Sequence, residues 1–128
     1  MKLKLDLEQN GLSMAFRDYE QVMLRHLWKI DETIAGWRED RAEAGSRELT
    51  GVVNRELPPP GSTSPNRRAS IINAANRFVD NGIWGYHEVT GKGGYRKLYY
   101  AIMTEYDLWK AIKSLVLEKI TPFEKIPQ

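Results

Sequence analysis

The chain contains no cysteine, so it forms no disulfide and offers no thiolate chemistry; a reducing compartment suits it without being required. Histidine is nearly as scarce. His26 and His87 are the only two, and they match no metal-ligand spacing. His26 lies in a helical stretch and is expected to be a packed or surface side chain. No run approaches the roughly 20 apolar residues of a membrane-spanning helix. The opening Met1-Lys2-Leu3-Lys4-Leu5-Asp6-Leu7 alternates charged and apolar residues, which gives it no signal-peptide core and suggests a short strand with one apolar face. A cytoplasmic, soluble protein is the expectation. A Gly-rich nucleotide fingerprint, a nucleophile–base–acid set and a catalytic carboxylate motif are also missing, so neither enzyme activity nor a cofactor or metal is expected, and no small-molecule effector is evident. Strong net charge is absent too: 19 Lys/Arg against 17 Asp/Glu leave +2, too little to indicate a nucleic-acid partner.

What is present is 128 residues, a single-domain length, with 41% hydrophobic residues and enough aromatics for a compact core. Charge is unevenly spread along it. Between Gly61 and Tyr100, Arg67, Arg68, Arg77, Lys92, Arg96 and Lys97 oppose only Asp80 and Glu88, a net +4, which leaves −2 for the remainder. Clustered basic charge is the footprint of phosphate contacts.

The same stretch has the clearest periodicity. Ile71, Ile72, Ala75, Phe78 and Val79 recur at i, i+1, i+4, i+7 and i+8, a buried helical stripe. Ser64 or Asn66 is an N-cap candidate, Pro65 suits the first turn, and Gly82 marks the end. On the opposite face fall Asn66, Ser70, Asn73 and Arg77, flanked by Ala69 and Ala74, with no acid before Asp80. Small residues let a helix approach a groove closely, and Asn or Ser can reach base edges or phosphates; an ordinary polar face would read the same way. Two strand-like runs follow, Ile83 to Val89 and Tyr95 to Ile102, joined by Thr90-Gly91-Lys92-Gly93-Gly94. Lys92 stands at the tip, with Arg96 and Lys97 just beyond. A helix leading into such a hairpin is the order of a winged helix, whose wing touches the DNA backbone.

Arg68-Ala69-Ser70-Ile71-Ile72-Asn73, then Phe78-Val79-Asp80-Asn81-Gly82-Ile83 and the wing, resemble the third helix and wing of winged-helix transcriptional regulators such as the penicillinase-repressor type. Gln21-Val22-Met23-Leu24-Arg25-His26-Leu27-Trp28 resembles the first helix of that family, which also ends in an aliphatic–Trp pair. The resemblance spans about Asp18 to Ile102. It implies duplex-DNA binding by Asn66, Arg67, Arg68, Ser70, Asn73, Arg77, Lys92 and Arg96. Those relatives dimerise through a longer helical tail that is cut during induction; little follows Pro122 here, so that geometry and that proteolysis are not implied.

The remaining segments fill in the architecture. A first helix is predicted from Asp18, with Asp18 and Gln21 as a capping box, burying Val22, Met23, Leu27 and Ile30 on one side and Leu24 and Trp28 on another. Asp31 to Gly45, around Ile34 and Trp37, reads as a helical continuation or an inserted helix. Ser46 is the N-cap candidate of a second helix that buries Leu49, Val52, Val53 and Leu57 and is stopped by Pro58-Pro59-Pro60. Thr104 and Asp107 suggest a further capping box. It precedes a stripe of Leu108, Trp109, Ile112, Leu115 and Val116 that ends at Pro122 and either packs on its own domain or joins a second copy as a homodimer. The expected fold is α+β: a winged helix-turn-helix with a C-terminal helix and a helical insertion between the first two helices. Residues 1–103 would form the DNA-binding domain and 104–128 the dimerisation element. The function expected is sequence-specific transcriptional regulation, as a repressor; the alternative is a winged-helix module that binds protein instead of DNA.

Overall fold

A computed structural model describes residues 2–34, 43–57, 67–91 and 94–124. After a 3-10 turn at Gly11–Met14 come α1 (Asp18–Ile34), β1 (Ala44–Gly45), α2 (Ser46–Glu56), α3 (Arg68–Asp80), β2 (Trp84–Gly91), β3 (Gly94–Ala101) and α4 (Glu105–Glu124). The three strands form one antiparallel sheet in the order β1-β3-β2. This is an α+β arrangement of four helices and a small sheet, and a winged-helix layout is compatible with it. No described helix is long and apolar enough to cross a membrane.

The core sits where the three central helices meet the sheet. From α1, Met23, Leu24 and Leu27 are fully buried and Trp28 nearly so, which covers this helix from two sides as its double stripe predicts. The Trp28 indole N–H donates to the Met103 carbonyl at 2.9 Å, so the ring's polar edge is satisfied. Leu49, Val52 and Val53 enter from α2, and Leu57 is half-buried just past its end. Ile71, Ala75 and Phe78 enter from α3; Ala74 joins them, although the wheel places it beside the polar face. The Phe78 ring meets Trp84 edge-on at 4.8 Å and Phe16 at 5.7 Å, which ties α3 to β2 and to the segment before α1.

Helix ends follow local chemistry, with several departures from expectation. At the start of α1, the Arg17 N–H donates to Glu20 Oε1 at 2.9 Å, so Glu20 closes the cap that Asp18 and Gln21 were expected to make. Gln21 is buried instead, its amide donating to Ser13 Oγ and the Phe16 carbonyl. The α2 start is shifted by one: Gly45 is the N-cap, Ser46 is the first helical residue, and no side chain caps it. At the end of α3, the Gly82 N–H reaches the Val79 carbonyl and the Ile83 N–H reaches that of Phe78, with Gly82 at φ +75°. This is a Schellman closure. The expected box at α4 is present in both directions: Thr104 N–H to Asp107 Oδ2 and Asp107 N–H to Thr104 Oγ, each 3.1 Å.

Three further expectations change. Residues 2–6 belong to no strand; the segment runs without a strand partner and is held by Lys2 N–H to Asn81 Oδ1 and Asp6 N–H to the Met14 carbonyl. The alternation still sorts its faces, since Leu3 and Leu5 pack on the core while Lys2 and Lys4 are exposed. Asp31 to Ile34 continue α1, which agrees with the helical continuation; the middle of the expected insertion, residues 35–42 with Trp37, lies outside the described residues, and Ala44–Gly45 at its end form a strand. Finally, α4 continues to Glu124, past Pro122. A proline in this last turn lacks the bond its own nitrogen would make and crowds the carbonyl four residues earlier.

Candidate nucleic-acid interface

The outer side of α3 is the candidate surface. With Ile71, Ala74, Ala75 and Phe78 turned into the core, Ser70, Asn73 and Arg77 are left exposed, and Ala69 beside them is exposed and small. The first turn carries no acidic residue and no side-chain cap, and its N-cap and first positions are Arg67 and Arg68. A helix start usually attracts carboxylates, because its free amides and dipole make it positive. Two arginines there add to that positive field, an arrangement unfavourable for the helix alone but suited to an anion such as a phosphate. Arg67 is half-buried and Arg68 fully exposed. Asn66, expected on the same face, lies outside the described residues.

Arg77 also has a partner within the molecule. Its guanidinium lies 3.2 Å from Glu20 Oε2, and the Glu20 carboxylate, only 10% exposed, uses its other oxygen on the Arg17 amide. Burial works against the Arg77 charge, but hydrogen bonds to Glu20 and Tyr19 and their charges outweigh it, so its pKa is raised. The pair offsets part of the charge of a side chain that is still about half exposed, and it ties α3 to the start of α1.

The hairpin is shifted toward its tip relative to its sequence pattern, pairing from Trp84↔Ala101 out to Gly91↔Gly94 and leaving Ile83 and Ile102 outside the strands. Lys92, at the tip, lies outside the described residues. Arg96 is exposed opposite Val89, whereas Lys97 is half-buried opposite Glu88 on the other sheet face. There Lys97 Nζ stands 4.5 Å from the Tyr86 ring centroid and 3.5 Å from Asn76 Oδ1. Asn76 Oδ1 also accepts from the Tyr99 hydroxyl at 3.2 Å. Burial, with Tyr86 adding to it, pushes the Tyr99 pKa up, so it keeps the proton it donates. The Asn76–Lys97–Tyr99 set fixes the hairpin to α3. It escapes sequence reading because Asn76 falls between the two faces of the helical wheel.

A second group of residues joins the surface from an unexpected direction. Lys2, Lys4 and Arg17, from the N-terminal segment, line a groove of about 850 Å³ together with Ser70, Asn73 and Arg77. The sequence signal was the Lys-Leu-Lys-Leu alternation, which puts both lysines on the outer side once Leu3 and Leu5 are buried. Asp6, Asp18 and Glu20 line the same groove and temper its charge.

The expected dimer stripe divides. Leu108 and Ile112 are buried in their own domain at 0% and 2% exposure and are removed from any surface, while Leu115 and Val116 are half-buried. What α4 exposes is Tyr106, Trp109, Leu117 and Ile120. The two histidines make structural pairs, His26 with Glu48 at 2.9 Å and His87 with Glu43 at 3.2 Å. Among the described residues no group of three or more His, Cys, Asp or Glu is placed to hold a metal. Compared with protein-family models, with curated proteins and with solved structures, the chain gives no match.

Proposed function

We propose that this chain is a winged-helix protein that binds duplex DNA, with α3 in the major groove and the β2–β3 tip on the backbone. The observation that carries the reading is the outer side of α3: exposed Ser70 and Asn73 on a small-residue face, led by Arg67 and Arg68 with no acid in the first turn. The sheet order β1-β3-β2 and the α3–hairpin succession support the winged-helix reading. Arg67 and Arg68 hold phosphates, as do Arg96 and Lys92 from the hairpin, while Ser70 and Asn73 face base edges. Asn can pair in a bidentate fashion with adenine, worth about 1–3 kcal/mol of discrimination. The protein acts as a transcriptional repressor by occupying its site. It does so as a homodimer, which spaces two α3 helices about one helical turn apart along the duplex.

Selection from a randomised duplex pool tests base reading directly. An enriched site is expected, with Asn73→Ala flattening the preference among related sites and Lys92→Ala weakening all of them equally. If both substitutions weaken every site by the same factor, α3 holds the backbone without reading bases.

A further inference from the structure

A second concavity, of about 540 Å³, lies away from the α3 surface and shares no lining residue with the groove there. It is enclosed by the end of α1, the link from β3 to α4 and the first turn of α4. Its walls are aromatic and apolar, with Trp28, Met103, Tyr106 and Trp109 the largest contributors, and its volume lies in the range of small-ligand sites. Among the described residues, the carboxylates of Asp31 and Glu105 line it and no lysine or arginine does. In a chain of net charge +2, this is a locally negative, aromatic recess.

We propose that this recess binds a small organic cation with an apolar body, such as an aryl or quaternary ammonium compound. Two features select that chemistry. Indole and phenol faces attract a cation through the ring quadrupole, most strongly for tryptophan; Lys110 Nζ stands 5.1 Å from the Tyr106 ring centroid and takes one face of that ring, so the indoles carry this contribution. Asp31 and Glu105 are both exposed, and their negative charge at the rim favours a cation; among the described residues neither carboxylate has an ion-pair partner. An anion of the same shape meets two negative charges, and a neutral one gains only the apolar contact.

The walls are also firmly placed. Trp28 is 9% exposed and its N–H is anchored on Met103, a neighbour within the same lining. Trp109 lies with its six-membered ring against Gly11, where an added Cβ would stand 3.3 Å from it. The two indoles are therefore in place before a ligand arrives, which spares the cost of ordering them; Tyr106, 70% exposed, is the open side of the recess. It also joins the base of the hairpin to the first turn of α4.

The test is a titration of the isotopically labelled full chain with benzyltrimethylammonium, followed through the indole N–H resonances of Trp28 and Trp109. Benzyl alcohol and phenylacetate serve as the neutral and anionic counterparts. Saturable shifts at one or both indoles are expected with the ammonium, at roughly tenfold lower concentration than with the alcohol, and none with phenylacetate. Asp31→Asn combined with Glu105→Gln changes exposed side chains only. It should weaken the ammonium about tenfold, to the level of the alcohol. Equal affinity for ammonium and alcohol, unchanged affinity in the double variant, or a response absent from both indoles would overturn the proposal.

Discussion

Gly82 sits at φ +75° one residue beyond the Asn81 C-cap of α3, and its amide and that of Ile83 close the helix. Any side chain there meets the left-handed penalty of about 1–2 kcal/mol, so Gly82→Ala should lower unfolding stability by that amount in a urea titration. Gly51 is the converse: it lies inside α2, exposed, and an added Cβ would meet nothing within 4 Å. Gly51→Ala should therefore raise stability by about 0.5–1 kcal/mol, and a loss there would show that α2 is not the helix described. Both glycines interrupt a helical pattern in the sequence. Only the position after Val79 and Asp80, where the apolar period stops, distinguished the cap from the interior. Glu20 makes the opposite lesson. Its type is ordinary for a first helical turn, and nothing in the sequence announces that its carboxylate would be buried between the Arg17 amide and Arg77. Glu20→Ala leaves that amide without its partner and should cost about 1–3 kcal/mol of unfolding free energy.

Elements with their own periodicity were legible, and elements made by tertiary pairing were not. The stripes of α1, α2 and α3 specify which side is buried, because 3.6-residue spacing and burial are the same fact seen twice. β1 has only Ala44 and Gly45, too short to show any alternation; it is a strand because Tyr99 and Leu98 of β3 lie beside it. The N-terminal segment shows the reverse, a clear alternation with no free strand edge taken up by it. In α4 the stripe was legible but its assignment was not, since Leu108 and Ile112 turned out to complete the core of their own domain. Burial fades along this helix, leaving Leu117 and Ile120 exposed toward its end. In the proposed homodimer a second copy of the chain buries these two exposed side chains. Leu117→Glu with Ile120→Glu should accordingly give a folded monomer by light scattering. A wild-type chain that is already monomeric at high micromolar concentration would exclude the dimer.

Across the whole molecule, a net charge of +2 conceals separate surfaces of different character. The α3 side gathers Arg67 and Arg68, with Lys2, Lys4 and Arg17 beside the groove, while the recess at the start of α4 carries Asp31 and Glu105. The linear sequence showed the first surface only in part. Its basic segment included Arg77, which is matched by Glu20, and Lys97, which is held by Asn76 and Tyr86; it left out the N-terminal lysines, which only folding brings near α3. DNA binding is the central claim, and its salt dependence tests that claim most directly. Fluorescence anisotropy with a labelled duplex, repeated across salt concentrations, should show affinity falling as a straight line on logarithmic axes. In the Arg67→Ala/Arg68→Ala variant, the line should be shallower by about 1.8, at roughly 0.9 for each phosphate contact removed. Affinity that stays flat with salt, or a slope that the two substitutions leave unchanged, would contradict the assignment of this surface to DNA.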